Sequence, residues 1–212
     1  LFTGNKLGAQ CFLDQISRLP GGYTVGDKVY HVATGEIFSN GDRMLYGSTG
    51  EVTGPVAAGG QPAGGVVVLF QGNKLGVNCY LQSISKAPPP PLPGGYTGGS
   101  RVVHIGASEK FSNGDRLTYG SVGVVTGPLP ADSAVGMGVT VMFAGNKLGV
   151  QSFVVNLADV KVTYTGTSQT FSNGDRLDHG AEGEVTGPVP DGSPAEGKGM
   201  TVLFPGNKLG AQ

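Results

Sequence analysis

The chain has 212 residues, 39 of them glycine and 14 proline, and only 14% are charged, with 14 Lys+Arg against 15 Asp+Glu. So near-neutral a chain is not held open by charge repulsion, and it lacks the positive excess that drives non-specific nucleic-acid binding. Its longest aliphatic and aromatic run, Val66–Phe70, falls far short of the roughly 20 residues a membrane helix needs, and no secretory signal pattern opens it. It begins with Leu1 and Phe2 rather than Met, as expected of a processed chain, a fragment or a segment of something longer.

Internal repetition organises everything that follows. Gly-Asn-Lys-Leu-Gly starts at Gly4, Gly72, Gly145 and Gly206. Phe-Ser-Asn-Gly-Asp-Arg starts at Phe38, Phe111 and Phe171, and Val-Thr-Gly-Pro follows at Val52, Val125 and Val185. From each Phe block to the next Gly-Asn-Lys block the spacing is 34, 34 and 35 residues. The return spacings, 34, 39 and 26, vary.

In chain order, residues 1–17 read as the C-terminal strands of a partial repeat, 26–85 as repeat 1, 86–99 as a Pro/Gly-rich linker, 100–157 as repeat 2 and 160–212 as repeat 3 without its last strand. Both ends of the chain carry Gly-Asn-Lys-Leu-Gly-Ala-Gln. It therefore either closes on itself, the first residues completing the last repeat, or is a window on a longer array.

Every repeat reads as strand. Val66–Phe70, Val139–Phe143 and Met200–Phe204 are one strand in three copies, and Val77–Leu81 and Val150–Val154 are the next, with Ala9–Leu13 an extra copy. Asn40-Gly41, Asn113-Gly114 and Asn173-Gly174 predict two-residue hairpin turns, because both residue types tolerate positive φ. Gly-Asn-Lys-Leu-Gly predicts the turn between the two copied strands, and no segment sustains a 3.6-residue apolar period. Four or five short strands in about 60 residues predict a small SH3-like barrel. A unit that small buries only about 60% of its unfolded surface, so neighbours should stack. The fold expected is all-β, tandem small SH3-like barrels joined by Pro/Gly-rich linkers. The six residues Pro88–Pro93 predict a stiff polyproline spacer, with docking to an SH3- or profilin-like partner as the rival reading.

Residues with chemical potential have structural explanations. His31 and His104 align with Tyr164, and His179 with Tyr46 and Tyr119. A position that accepts Tyr for His is expected to serve packing. Cys11 and Cys79 align with Ser152 and read as buried free thiols, since equivalent positions in separate barrels need not come within disulfide reach. Asp42, Asp115 and Asp175 follow the Asn-Gly turns and are expected to accept backbone N–H bonds. No catalytic, cofactor or metal residue is assigned, and an enzyme is not expected.

The residues left over point to contact surfaces. Val66, Val68 and Phe70 alternate onto one strand face, yet the opposite face carries Leu69, Met142 and Leu203, joined by Phe12, Tyr80 and Phe153 on the next strand. A sheet apolar on both faces is expected to meet another unit or another protein. Leu7, Leu75, Leu148 and Leu209 stand inside turns that favour Gly, Asn and Asp, so burial is expected, against the end of their own barrel or inside a neighbour. Lys74 and Lys147, beside them, complete the candidate partner-binding set.

The stretch Gly-Asp-Arg-x-x-Tyr-Gly-Ser-x-Gly-x-Val-Thr-Gly-Pro, residues 41–55, resembles the opening strand and loop of KOW and CAP-Gly modules. The Gly-Asn-Lys-Leu-Gly loop departs from the CAP-Gly loop in residue order and has Leu where Asp belongs. Only barrel topology carries over, with binding of peptides or C-terminal tails as an alternative function. A closer resemblance spans nearly the whole chain. The repeats and the linker Ser85-Lys-Ala-Pro-Pro-Pro-Pro-Leu-Pro-Gly-Gly-Tyr96 are similar to tandem Gly-Asn-Lys repeat proteins of marine unicellular algae. That resemblance implies an algal protein and no known activity. Repeats that each present the same loops read as a scaffold or linker with protein partners, while the net charge of −1 and the short apolar runs lead us to expect no nucleic acid and no transmembrane segment. By association the resemblance implies a place at the periphery of a large assembly such as a thylakoid photosystem–antenna complex in a plastid.

Overall fold

The computed structural model describes residues 19–130 and 136–208. The chain is all-β, with single 3-10 turns and no α-helix among the described residues. The first sheet contains β1 (Lys28–His31), β4 (Thr49–Pro55), β5 (Val66–Phe70), β6 (Val77–Cys79) and β7 (Ile84–Ser85), in the order β6-β5-β4-β1-β7. A small hairpin, β2 (Glu36–Ile37) with β3 (Arg43–Met44), stands between β1 and β4. The second sheet repeats this plan with β8 (Arg101–His104), β11 (Val122–Pro128), β12 (Gly138–Phe143), β13 (Val150–Phe153) and β14 (Leu157–Asp159), in the order β13-β12-β11-β8-β14. Its hairpin is β9 (Glu109–Lys110) with β10 (Arg116–Leu117). The third has β15 (Lys161–Thr163), β18 (Glu182–Pro188) and β19 (Met200–Leu203) in the order β15-β18-β19, with hairpin β16 (Gln169–Thr170) and β17 (Arg176–Leu177).

Alternation places the core as the sequence pattern requires. Val29, Val52, Val66, Val68 and Phe70 are buried together with Cys79 and Ile84 in the first sheet. Val102, Val125, Val139, Val141, Phe143 and Leu157 form the second core. Burying one such side chain stabilises by about 1.5–3 kcal/mol.

Val-Thr-Gly-Pro marks a β-bulge. Register against the next strand slips between Val52 and Gly54, Val125 and Gly127, and Val185 and Gly187. The intervening Thr53, Thr126 and Thr186 each donate their hydroxyl to a carbonyl of that next strand. A bulge bends its strand, and the same residue does so three times.

Two expectations need correction. The Asn-Gly pairs are not two-residue turns. Only the glycines have positive φ (Gly41 88°, Gly114 90°, Gly174 87°). Phe38 N–H donates to the Asp42 carbonyl and Gly41 N–H to that of Phe38, which makes a three-residue loop with glycine in the left-handed place. Asn40 contributes its side chain instead of a left-handed backbone. The Pro-rich stretch is also no free spacer. Leu92 is buried in the second core with Tyr96 packed beside it, as Leu19 and Tyr23 pack on the first. Pro88–Pro91 line one hollow of about 330 Å³ with Tyr30, Tyr46 and Tyr96, and Tyr46 Oη donates to the Pro90 carbonyl at 2.8 Å.

Candidate functional site: the repeated turn and the apolar outer face

Each Gly-Asn-Lys-Leu-Gly turn is clasped by the carboxylate of its own hairpin. Asp42 accepts from the backbone N–H of Lys74 (2.9 Å) and Leu75 (3.1 Å) and from Asn40 Nδ2 (3.1 Å), while Asn40 Oδ1 accepts Asp42 N–H. Asn73 Oδ1 accepts the Arg43 N–H, so the asparagine of the turn crosses back to the hairpin while Asn40 stays within its own loop. The second unit repeats this through Asp115, Lys147, Leu148, Asn113 and Asn146. In the third, Asp175 accepts the Lys208 N–H and Asn207 accepts that of Arg176. The N–H donors of Lys74 hold the Asp42 carboxyl below its ordinary value, with Leu75 and Asn40 adding to the effect. Burial pushes Asp115 up, but the N–H groups of Lys147 and Leu148 outweigh it and the net shift is downward. The expected structural role of these carboxylates is what the geometry shows.

The clasp uses main chain and leaves side chains outside. Leu75 and Leu148 are each 63% exposed. The expected burial of these leucines against the end of their own barrel is therefore overturned. Lys74 and Lys147 are exposed beside them. Leu7 and Leu209, like Cys11 and Phe12, lie outside the described residues. On the outer sheet faces Leu69 and Leu203 are exposed and Met142 is half-buried, while Tyr80, just past the end of β6, and Phe153, at the end of β13, are exposed. The structure unites part of this set. Leu148 and Phe153 line one groove of about 680 Å³ on the second unit, with Phe111, His104 and Asp115. Leu203 lines a separate hollow of about 510 Å³ on the third, with Lys161, Glu182 and Glu184.

The histidine slot is structural. His31, His104 and Tyr164 each stand edge-on to a core phenylalanine, Phe70, Phe143 and Phe204, with ring centres 6.0, 6.1 and 6.2 Å apart. Burial lowers His31 to about 4 against a hydrogen bond with the Leu45 carbonyl that works the other way. Cys79 is a buried free thiol pushed up to about 12 by burial. Its Sγ donates to the Val77 carbonyl at 3.5 Å, as Ser152 Oγ does to Val150 at the same distance.

Residues that bring the units together were not singled out from sequence. The bulge carbonyl of Thr126 accepts two N–H groups of the first unit, Gly35 (3.1 Å) and Tyr46 (3.0 Å), and Thr34 Oγ1 donates to the Pro128 carbonyl. A Cβ on Gly35 would strike the Met44 carbonyl and stand 2.9 Å from that of Thr126. One on Gly98 would strike the Tyr46 carbonyl. The readable signal was alignment. Gly35 stands where the other repeats have Ser108 and Ser168, and Gly98 where the first has Val25. The apolar outer face of the second sheet is used too. Val103 is buried with Val160 and Val185, and Val122, Val162, Met200 and Val202 pack around them.

No protein-family model matches this chain, and no curated protein matches it. No helix among the described residues is long and apolar enough to cross a membrane.

Proposed function

We propose that this is a non-enzymatic tandem-repeat scaffold that links larger protein partners as a peripheral subunit of a large assembly. The observation that carries the reading is the repeated clasp. Asp42 and Asp115 fix the main chain of each turn while its leucine is held out to solvent. Rigid turns of one kind, presented at intervals, make a multivalent surface whose modest contacts add through effective concentration. The strand order, a three-strand meander closed by the first and last strands with a 3-10 turn before the last, supports assigning the units as tandem SH3-like barrels. Resemblance to algal Gly-Asn-Lys repeats supports a plastid assembly of the photosystem–antenna kind.

Leu75→Ser with Leu148→Ser tests this. Because both side chains are exposed, melting should stay within about 0.5 kcal/mol of the parent. Recovery of stoichiometric partners from the source cells should fall severalfold. A large drop in melting, or undiminished partner recovery, would remove the leucines from the contact surface.

The groove with Leu148 and Phe153 favours a second reading, an adaptor for peptides or C-terminal tails. Its walls include Glu109 and Asp115, and Asp115 is occupied by its own turn, so an apolar rather than acidic tail would suit it. A titration of apolar C-terminal peptides that left Leu148 and Phe153 resonances unmoved would end that reading.

A further inference from the structure

The turn of the first unit and the groove of the second carry matching chemistry. Leu75 and Lys74 are both exposed, and the main chain that bears them is fixed by Asp42. Gly72, at the other end of that turn, has open space where a Cβ would stand. A slim, fixed support therefore holds out an aliphatic side chain next to an ammonium. In the second unit the corresponding Leu148 is a wall of the groove of about 680 Å³. Of its other apolar walls, Leu117 is buried, Phe111 and Val150 are half-buried and Phe153 is exposed. Among the described residues the walls belong to the second unit alone, and they include Glu109 and Asp115 but no lysine or arginine. The Asp115 carboxylate is taken by the N–H groups of Lys147 and Leu148, which leaves Glu109 as the free anion. Among the described residues neither Glu109 nor Lys74 has an ion-pair partner.

We propose that the groove of the second unit receives the Lys74–Leu75 turn of a second copy of this chain. Leu75 is not among the groove walls of its own chain, so the contact joins two molecules. In it Leu75 meets the apolar walls around Leu148 and Phe153, and Lys74 meets Glu109. Two neighbouring residues of the turn thus find an apolar wall and an opposite charge in one groove. The clasp has already ordered the main chain of the turn, so docking pays little further ordering cost. An apolar projection that fits a pocket elsewhere on the same molecule makes a heterologous contact, and copies join turn to groove. The inference rests on the reading of the turn leucines as a contact surface and names one occupant for it. A single contact of this kind is weak, and an array makes it count through effective concentration.

The test is sedimentation equilibrium of the whole chain up to about 1 mM, the affinity range of a small contact. The parent should associate reversibly. Lys74→Glu alone and Glu109→Lys alone should each weaken association about tenfold, and both changes in one chain should restore it to within about threefold of the parent. Both residues are exposed, so the variants keep their fold, which melting curves check. Mixing supplies a second measurement. Leu75→Ser keeps the groove and Phe153→Ser keeps the turn, so neither variant should associate alone, while equal amounts of the two should form pairs. A parent that stays monomeric would overturn the proposal. Association indifferent to the charge reversals would overturn it as well, as would a mixture that stays apart. Recovery of larger partners answers a separate question. If Leu75→Ser with Leu148→Ser loses those partners from a chain that never self-associates, the wider reading stands and this one is removed.

Discussion

The junction between the first and second units and the junction between the second and third use the same repeat differently. At the first, the bulged strand of the second unit is taken into the contact: Thr126 is 1% exposed and its carbonyl serves two N–H groups of its neighbour. At the second, the equivalent Thr186 is exposed. There Val103 of the second unit is buried with Val160 and Val185 instead, and Gly120 comes close to Pro188 and Met200. The switch is readable in the residue that precedes the hairpin. Ser108 and Ser168 use their hydroxyls to accept the N–H of Tyr119 and His179 within their own units. Gly35 has no hydroxyl, so the Tyr46 N–H is free for Thr126. A single side-chain oxygen thus decides whether a backbone donor is spent inside a unit or across a boundary.

The largest effect is expected where this switch is reversed. Gly35→Ser gives the first unit the hydroxyl of the others and places a Cβ against two carbonyls. Two junction hydrogen bonds are lost at about 1 kcal/mol each and overpacking adds about 1–3 kcal/mol. The first junction should open, seen as a larger radius of gyration in solution scattering together with a lower first transition in calorimetry. An unchanged radius would mean that the remaining contacts of Pro88–Leu92 hold the junction alone.

A somewhat smaller effect separates the first unit from the third, whose aromatic slot holds Tyr164 rather than a histidine. Folded His31 titrates near 4, below its ordinary 6.5, so the unfolded chain binds the proton more readily. The stabilisation is complete above about pH 6.5 and is lost progressively as pH falls toward 4, by roughly 2–3 kcal/mol at the lower end. His31→Tyr should flatten this dependence in a pH series of melting curves. An identical acid slope between about pH 6.5 and 4 in the variant would overturn this assignment, since the lowered carboxyls of the Asp42 and Asp115 clasps lose their contribution only below about pH 4.

The smallest effect belongs to the second junction. Arg101 and Glu184 pair across it, both about half exposed, so Arg101→Ala should cost no more than about 0–1 kcal/mol and less at high salt. A salt-independent loss larger than that would show the pair to be shielded and the second junction to be polar in character.

Much of this was legible in the sequence. Strands, the places of the turns though not the type of the Asn-Gly ones, the core face and the hydrogen-bonding aspartates follow from alternation and from Asx turn chemistry, which are local. The fate of Leu75 was not, because the turn constrains its N–H, which any residue but proline supplies, and says nothing of the side chain. The hydrogen bond that ties Pro90 to Tyr46 was also hidden. Composition predicts the polyproline conformation but not which aromatic surface it meets. Junction residues such as Gly98 looked like more turn glycine, and only comparison with Val25, 66% exposed in the first unit, marks a glycine required by a neighbour's backbone.

The carboxylate clasp has a consequence for how such a chain can change length. It joins residues 32 or 33 positions apart within one unit, so insertions between hairpin and turn are tolerated only in a segment that both strands have already left. The single extra residue of the third unit lies in that place, between the end of β18 at Pro188 and the start of β19 at Met200. Among the described residues no carboxylate stitches the segment outside the clasp in this way, and there the return spacing ranges from 26 to 39 residues. Each unit is in effect a cassette with a sealed interior and negotiable margins. Duplication and recombination can adjust the reach between cassettes without reopening any of them.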